Sequence, residues 1–321
     1  MFEWLHWAGF GALIAVVLVI DLGVFHRRAH EVPFREALAW TGAWVGLAVL
    51  FAGSLLLWQG GRVAGEFLAG YLIEWSLSVD NVFVFLLIFA HFAVPGPYRH
   101  RVLFWGVVGA IVLRLGFILA GAALIHRFHW LLYVFGALLL VTAIRFLRHE
   151  GSAISIERSR SLRLVRRVVP MTDGYRGQRL VVREAGRRLA TPLLAVLVVI
   201  EATDVVFAID SIPAIFAVTS NAFIVFASNA LALLGLRSLS FVLSGALARF
   251  RHLRRSLAAL LAFVGVKMLL AEVVHVPVAA SLAAIVLILS LGVVASLRSP
   301  SQAPVHSGGD GGPAGDAPRA P

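Results

Sequence analysis

Long apolar runs separated by shorter polar segments set the pattern of this 321-residue chain. An apolar run of about 20 residues is long enough for an α-helix to cross the roughly 30 Å hydrocarbon core of a bilayer. The pattern predicts an all-α integral membrane protein with about nine transmembrane helices. These predicted spans 1 to 9 cover residues 7–25, 38–58, 66–93, 102–125, 129–147, 191–218, 222–244, 256–274 and 277–297.

Two polar segments lie outside these spans. Residues 148–190 form an arginine-rich loop, in which VVREAGRRLA fits either a short hairpin turning at Gly186 or an irregular linker. Residues 299–321 are rich in Pro, Gly and Ala, and we expect them to be disordered because they have few apolar side chains to bury.

The composition and charge also fit a membrane protein. The chain is 60% hydrophobic and only 14% charged, whereas soluble domains are about half apolar and about a quarter charged. Its net charge of +11 comes from 27 Arg and one Lys, which cluster after spans 1, 3, 5 and 7. Because basic residues favour cytoplasmic loops, this predicts an outside N-terminus and a cytoplasmic C-terminus, and it explains the charge without nucleic acid.

Two absences narrow the chemistry and the processing. Cysteine does not occur in the chain, which excludes disulfides, thiolate metal ligands and cysteine catalysis. The N-terminus has no basic region and no small-residue cleavage site, so the first apolar run is expected to be a retained span and not a signal peptide.

An internal repeat appears when the chain is shifted by 124 residues. VDNVF at 79–83 then aligns with TDVVF at 203–207, and FILAGAAL at 117–124 aligns with FVLSGALA at 241–248. The charge pattern orients spans 3 and 6 in opposite directions, and inverted repeats of this kind are typical of alternating-access transporters. The predicted segments are two N-terminal spans (1–65), a first repeat (66–147), a cytoplasmic loop (148–190), a second repeat (191–275), a last span (276–298) and the tail (299–321).

Carboxylates occur inside the two repeat-related spans. Span 3 contains Glu74 and Asp80, and span 6 contains Glu201, Asp204 and Asp210. Each ionised carboxylate at the bilayer centre costs roughly 3 kcal/mol, so a compensating partner is needed. At 100° per residue Glu74 shares a helix face with Ser78 and Asn81, and Glu201 shares one with Asp204 and Ser211.

A bound metal ion is one such partner. The carboxylates together with Asn81 and Ser211 form an all-oxygen ligand set, which suits Mg²⁺, Ca²⁺ or Mn²⁺. Pro213 is expected to kink or break its helix, because it lacks an N–H for the carbonyl of Ile209, and so to turn Asp210 toward Asp204. The expected site lies between spans 3 and 6, with a divalent ion between Asp80, Asp204 and Asp210.

Basic side chains inside the membrane offer the alternative. Arg114 in span 4, Arg237 in span 7 and Lys267 in span 8 could pair with the carboxylates as structural ion pairs. We treat all three as candidate counter-ions, and Lys267 as one that could occupy the site when no metal is bound.

The stretches GYLIEWSLSVDNVFVFLLIFAHFAVP and VIEATDVVFAIDSIPAIFAVT resemble the TerC/Alx family of integral membrane proteins, and the similarity covers about residues 8 to 297. The resemblance implies a nine-span bacterial inner-membrane protein of the tellurium-resistance TerC group. It narrows the ion to manganese and the direction to export. The acidic motif positions of the family fall here on Glu74, Asp80, Asn81, Glu201, Asp204, Asp210 and Ser211.

Three functions are weighed. The preferred one is divalent metal transport, with Mn²⁺ as the transported ion, Ca²⁺ as a second possibility and no organic cofactor. The second is a membrane scaffold or biogenesis protein, linked to tellurite or stress resistance without transport. An enzyme is disfavoured, because the Gly-x-Gly-Asp motif of intramembrane aspartyl proteases and the HExxH motif are both missing. The expected partners are the lipid bilayer and the metal ion, with no nucleic acid.

Overall fold

The computed structural model describes most of the chain. The described residues are 3–25, 33–128, 130–148, 171–184, 186–244, 253–271, 273–274 and 276–298. The tail expected to be disordered, and residues 149–170 of the polar loop, lie outside this part.

Nine helices form within these residues, one at each predicted span. They are α1 Glu3–Phe25, α2 Phe34–Gln59, α3 Gly61–His91, α4 Gly96–Arg127, α5 Leu131–Arg148, α6 Pro192–Phe216, α7 Ala222–Ser244, α8 Leu253–Leu269 and α9 Val278–Arg298. In the described part of the chain, seven helices (α2 to α7 and α9) are long and apolar enough to cross a membrane. The prediction of an all-α membrane protein is confirmed.

Helix ends follow local backbone chemistry. Gly60 takes a φ of +87° between α2 and α3, a left-handed conformation that glycine adopts without strain. Pro97 and Pro192 lie in the first turns of α4 and α6, where a missing N–H leaves no helical bond unmade. Helix α4 begins six residues before predicted span 4. Helix α8 ends at Leu269, five residues before the predicted end of span 8.

The prediction that the acidic helices are broken is wrong. Helix α3 is continuous, and α6 continues through Pro213 to Phe216. Pro213 lies in the last turn of α6, so its missing N–H removes one helical bond close to an end where the helix would stop anyway. The N–H of Ala217 still donates to the carbonyl of Pro213, at 3.0 Å.

Helix α7 lies at the centre of the bundle, with α2, α3 and α4 around it. Helix α5 packs closely on α8, where a Cβ on Gly265 would lie 2.9 Å from the carbonyl oxygen of Gly136. Helices α3 and α4 each pack on both α6 and α7, and α5 packs on α8 and on α6. The inversion of the two sequence repeats stays a prediction.

The hairpin considered in the polar loop is present. Strands β1 Val181–Glu184 and β2 Arg187–Ala190 pair antiparallel, and Gly186 turns the chain with a φ of +77°. The hydroxyl of Tyr175 donates to the carbonyl of Phe92, at 2.7 Å, between α3 and α4. This bond fixes the segment before the hairpin to the end of the bundle where α3 ends and α4 begins.

Candidate functional site

A buried ion cluster lies between four helices. Arg114 on α4 is 1% exposed, and its guanidinium is held by Asp204 of α6 and Glu74 of α3. Its Nε donates to Oδ2 of Asp204, at 3.0 Å, and its Nη2 donates to Oδ1 of Asp204, at 2.8 Å. Its Nη1 donates to Oε1 of Glu74 and to the hydroxyl of Ser211, the latter at 3.2 Å. One guanidinium therefore ties α3, α4 and α6 together.

The helical repeat brings these side chains into one place. Asp204 and Ser211 are seven residues apart, about two helical turns, so both project from α6 in the same direction. Asn229 of α7 completes the cluster, since its amide donates to Oε2 of Glu74, at 3.0 Å. Asn229 was missed at the sequence level, where its signal was a lone amide in the apolar run of span 7.

The cluster contains more carboxyl groups than basic groups. Glu74 and Asp204, 0% and 2% exposed, contribute two carboxylates against the single guanidinium of Arg114. Each oxygen of these carboxylates has a hydrogen-bond donor. Buried charges persist only when they are paired and hydrogen-bonded in this way. The structure thus brings two predicted ligands, Glu74 and Asp204, against the predicted counter-ion Arg114.

Glu201 lies one turn before Asp204 on α6 and outside this hydrogen-bonded network. Its Oε2 is buried and has no hydrogen-bond partner among the described residues. The carboxylate packs on Gly109 of α4, where an added Cβ would overlap it. Gly109 therefore provides a recess for this carboxylate, and no sequence signal singled it out.

Asp210 is directed elsewhere. Its Oδ1 accepts a hydrogen bond from the hydroxyl of Thr142 on α5, at 3.0 Å. The expected approach of Asp210 to Asp204 does not occur, because α6 remains helical and residues six apart then project about 120° from each other. Thr142 is therefore the partner of this carboxylate. It was not predicted, because nothing in the apolar and small residues around it marks it out.

The structure shows less about the other predicted ligands. Asn81 is buried on α3, whereas the side chain of Asp80 lies outside what the structure describes. Ser78, one turn after Glu74, has a buried hydroxyl with no hydrogen-bond partner within the described residues. Among the described side chains, no group of three or more His, Asp or Glu is arranged to hold a metal ion.

The remaining predicted counter-ions lie at different positions. Arg237 is buried on α7, about two turns beyond Asn229. Lys267 lines a cavity of about 230 Å³ with Phe216 and Met268, and it interacts electrostatically with Glu66.

Glu66 is a further buried acid that sequence reasoning did not select. Its Oε1 accepts from Nε of Arg62, at 3.0 Å, and its Oε2 accepts from the hydroxyl of Thr219, at 2.6 Å. It lines an open cleft of about 430 Å³ at the end of the bundle where α6 ends.

Known proteins are similar in sequence to this chain over most of its length. The sequence model of the Integral membrane protein TerC family matches residues 59–303. An "Uncharacterized membrane protein STKORF319" of Myxococcus xanthus is 48% identical over 299 residues, 93% of each chain. A "Putative membrane-bound redox modulator Alx" of Salmonella typhi is 45% identical over 299 residues, covering 90% of this chain and 93% of its own. No solved structure matches.

Proposed function

The chain belongs to the TerC family of integral membrane proteins, and we propose that it transports a divalent metal ion across the bacterial inner membrane, with manganese export as its activity. The observation that carries this proposal is the buried cluster of Glu74, Asp204 and Arg114, in which two carboxyl groups on two helices meet a single guanidinium. In this proposal the chain is a transporter and not an enzyme, with its N-terminus outside and its C-terminus in the cytoplasm.

The donor atoms at the cluster suit a hard cation. Three helices supply oxygen atoms that can act as metal ligands. They belong to the two carboxylates, the hydroxyl of Ser211 and the side-chain carbonyl of Asn229. Glu201 and Ser78, which each have a buried oxygen without a hydrogen-bond partner among the described residues, lie about one turn from Asp204 and Glu74 along α6 and α3. Oxygen ligands of these kinds suit Mn²⁺, Ca²⁺ and Mg²⁺, so these buried oxygens fit such a cargo. Mn²⁺ is the proposed substrate and Ca²⁺ a second one.

Arg114 occupies the position that a cargo ion would need. A dication between Glu74 and Asp204 would lie beside the guanidinium, which repels it and now holds both oxygens of Asp204, so Arg114 has to release at least one carboxylate when the ion binds. The helices tied together by Arg114 would then be free to shift relative to each other. Exchange of a tethered guanidinium for a mobile ion is therefore the step that couples ion binding to a conformational change.

The name of the Salmonella relative includes the word redox. This chain has no cysteine, so its own side chains cannot perform thiol–disulfide exchange. In the present proposal, an influence on cellular redox state follows from the manganese content of the cell.

A second candidate is a membrane scaffold or biogenesis role linked to tellurite or stress resistance. The observation in its favour is that every oxygen of Glu74 and Asp204 has a donor, which is what a purely structural ion cluster requires. A scaffold would keep this cluster intact at all times, whereas a transporter must open it.

The deciding experiment measures metal flux. We would reconstitute the full protein into liposomes containing a dye quenched by Mn²⁺, and compare wild type with Asp204→Asn and with Asp173→Asn. Asp173 is an exposed acid in the segment before the hairpin, so its variant matches the charge change outside the cluster. We expect quenching with wild type and Asp173→Asn, and at least a tenfold slower rate with Asp204→Asn.

Two results would contradict the proposal. One is background-level quenching by folded wild-type protein with Mn²⁺, with Ca²⁺ giving no flux when a calcium dye is used. The other is a flux that Asp204→Asn leaves unchanged. Either result would place the scaffold function first.

A further inference from the structure

The segment from residue 171 to 190 is held against the ends of three membrane-spanning helices. Tyr175 donates to the carbonyl of Phe92, and the amide of Gln178 donates to the carbonyl of Pro97, at 3.4 Å, so the segment lies over the junction of α3 and α4. On its other side, the hydroxyl of Thr191, just before α6, donates to the carbonyl of Arg179, at 2.7 Å. The hairpin of β1 and β2 therefore sits at a fixed position on the bundle.

That position lies at the boundary of the bilayer. Because α3, α4 and α6 have 31, 32 and 25 residues, they are about 37–48 Å long, and as membrane-crossing helices they extend past the edge of the roughly 30 Å hydrocarbon core into the headgroup layer. The polar headgroup layer beyond that edge is about 5–8 Å thick. A four-residue antiparallel strand is about 10 Å long, so side chains of a hairpin fixed at the helix ends are within reach of lipid headgroups.

The hairpin exposes a concentration of positive charge. Residues 171–190 contain five arginines and two acidic residues. Arg176 pairs with Glu184, at 2.8 Å, and Arg187 is the cross-strand neighbour of Glu184. Within the described residues, this leaves three exposed arginines with no ion pair, Arg179, Arg183 and Arg188.

Two of these arginines face each other across the strands. Arg183 and Arg188 are direct partners in the register of β1 and β2. Opposed residues of an antiparallel pair have Cβ atoms about 5 Å apart on one face of the sheet, and like charges in this position destabilise the pair. An anion between the two guanidinium groups would reverse the sign of this contribution.

We propose that Arg183 and Arg188 bind the phosphate of an anionic phospholipid headgroup in the membrane that surrounds the protein. Guanidinium groups bind phosphate through two parallel N–H···O bonds, and two opposed arginines can hold one phosphate from both sides. The lipid is favoured over a soluble phosphate because the hairpin is fixed at the bilayer edge. Val181, two residues before Arg183 on the same face, is an exposed apolar side chain that suits the acyl-glycerol region below the headgroup.

The test uses the full protein, purified in detergent and stripped of lipid. Its affinity for tail-labelled phosphatidylglycerol is measured by fluorescence anisotropy, with phosphatidylcholine as the zwitterionic lipid and glycerol 3-phosphate as the soluble competitor. The variants are Arg183→Gln, the double variant Arg183→Gln with Arg188→Gln, and Arg183→Lys. The matched control is Arg127→Gln, which removes one exposed charge at the opposite end of α4.

Each arginine near an anionic lipid changes the affinity by about fivefold. We expect phosphatidylglycerol to bind about fivefold more weakly to Arg183→Gln and on the order of 20-fold more weakly to the double variant. Arg127→Gln should bind as wild type does. Arg183→Lys should lie between wild type and Arg183→Gln, because lysine keeps the charge and loses the paired N–H donors. Phosphatidylcholine should bind weakly to all variants, and millimolar glycerol 3-phosphate should not displace the lipid.

Three outcomes would overturn the proposal. A double variant that elutes as a single species and binds phosphatidylglycerol as tightly as wild type would exclude the site. An equal loss in Arg127→Gln would mean that the general field of the protein holds the lipid, and not these two arginines. Displacement of the lipid by micromolar glycerol 3-phosphate would make a soluble phosphate the ligand. If the double variant does not fold, the two single Arg183 variants decide, since each has its own expected affinity.

Discussion

Replacing Arg114 by methionine tests whether the buried cluster is an ion pair on which the bundle depends. Methionine is apolar and similar in length, so the change removes the charge and the donors while largely filling the space. It leaves Glu74 and Asp204 buried with no cation between them. Breaking a buried pair by removing one partner costs about 3–5 kcal/mol, because the remaining charge is uncompensated. We expect Arg114→Met to unfold at a temperature on the order of 10 °C lower than wild type.

The assay is thermal unfolding in detergent, followed by the fluorescence of the eight tryptophans. A triple variant, Arg114→Met with Glu74→Gln and Asp204→Asn, is the informative control, because it removes all three charges. Neutral replacement of a whole buried ion cluster is often tolerated, so the triple variant should be more stable than Arg114→Met alone. The three substitutions would then be strongly non-additive, as expected for groups in one network.

Manganese extends this test to function. If the vacated position binds the ion, Mn²⁺ at 100 times its dissociation constant should stabilise Arg114→Met by about 2.7 kcal/mol. Mg²⁺ at the same concentration and the triple variant with Mn²⁺ serve as comparisons. The reasoning would be refuted by an Arg114→Met protein that unfolds at the wild-type temperature, or by a triple variant that is no more stable than Arg114→Met.

Three further variants test neighbouring features, with Gly53→Ala as a shared control because a Cβ there meets nothing within 4 Å. Gly109→Ala should displace the carboxylate of Glu201 and slow Mn²⁺ flux severalfold in the liposome assay, whereas an unchanged flux would remove Glu201 from the transport path. Gly265→Ala should lose about 1–3 kcal/mol of stability, seen as a lower melting temperature, because its Cβ would lie 2.9 Å from a facing backbone carbonyl. Burial raises the pKa of Tyr175 above its ordinary value near 10. Its contribution to stability is therefore full below pH 10 and is lost as the pH rises through the raised value, so the melting temperature of wild type should fall more steeply above pH 10 than that of Tyr175→Phe.

The positions of the helices along the sequence could be predicted, because hydrocarbon thickness fixes the length of an apolar helix that crosses the membrane. The hairpin was one of two alternatives at the sequence level, and Gly186 with its positive φ is what makes the tight turn possible. The break predicted at Pro213 is wrong because α6 ends at Phe216, only three residues after that proline. A proline in the last turn removes one bond and changes little else.

The partners of the carboxylates could be predicted only in part. Periodicity placed Asp204 and Ser211 on one face of α6 and Glu74 on one face of α3 with Ser78 and Asn81, and Arg114 was recognised as an intramembrane cation. Which carboxylate meets which base depends on how the helices are rotated against each other, and that is set by packing contacts far apart in the chain. Asn229 illustrates the limit, since its contact with Glu74 joins residues 155 positions apart.

The strength of the Arg114 contacts bears directly on the proposed transport. A guanidinium and a dication compete for the same carboxylates, so the pairing that stabilises the metal-free cluster opposes the binding of the ion. Two bonds to Asp204 together with the pairing to Glu74 make this opposition large. An exporter benefits from it, because an ion that binds only moderately is also released. Two carboxyl groups around one guanidinium leave acidic oxygens for a cation once Arg114 moves away, whereas a scaffold would keep all of them paired at all times.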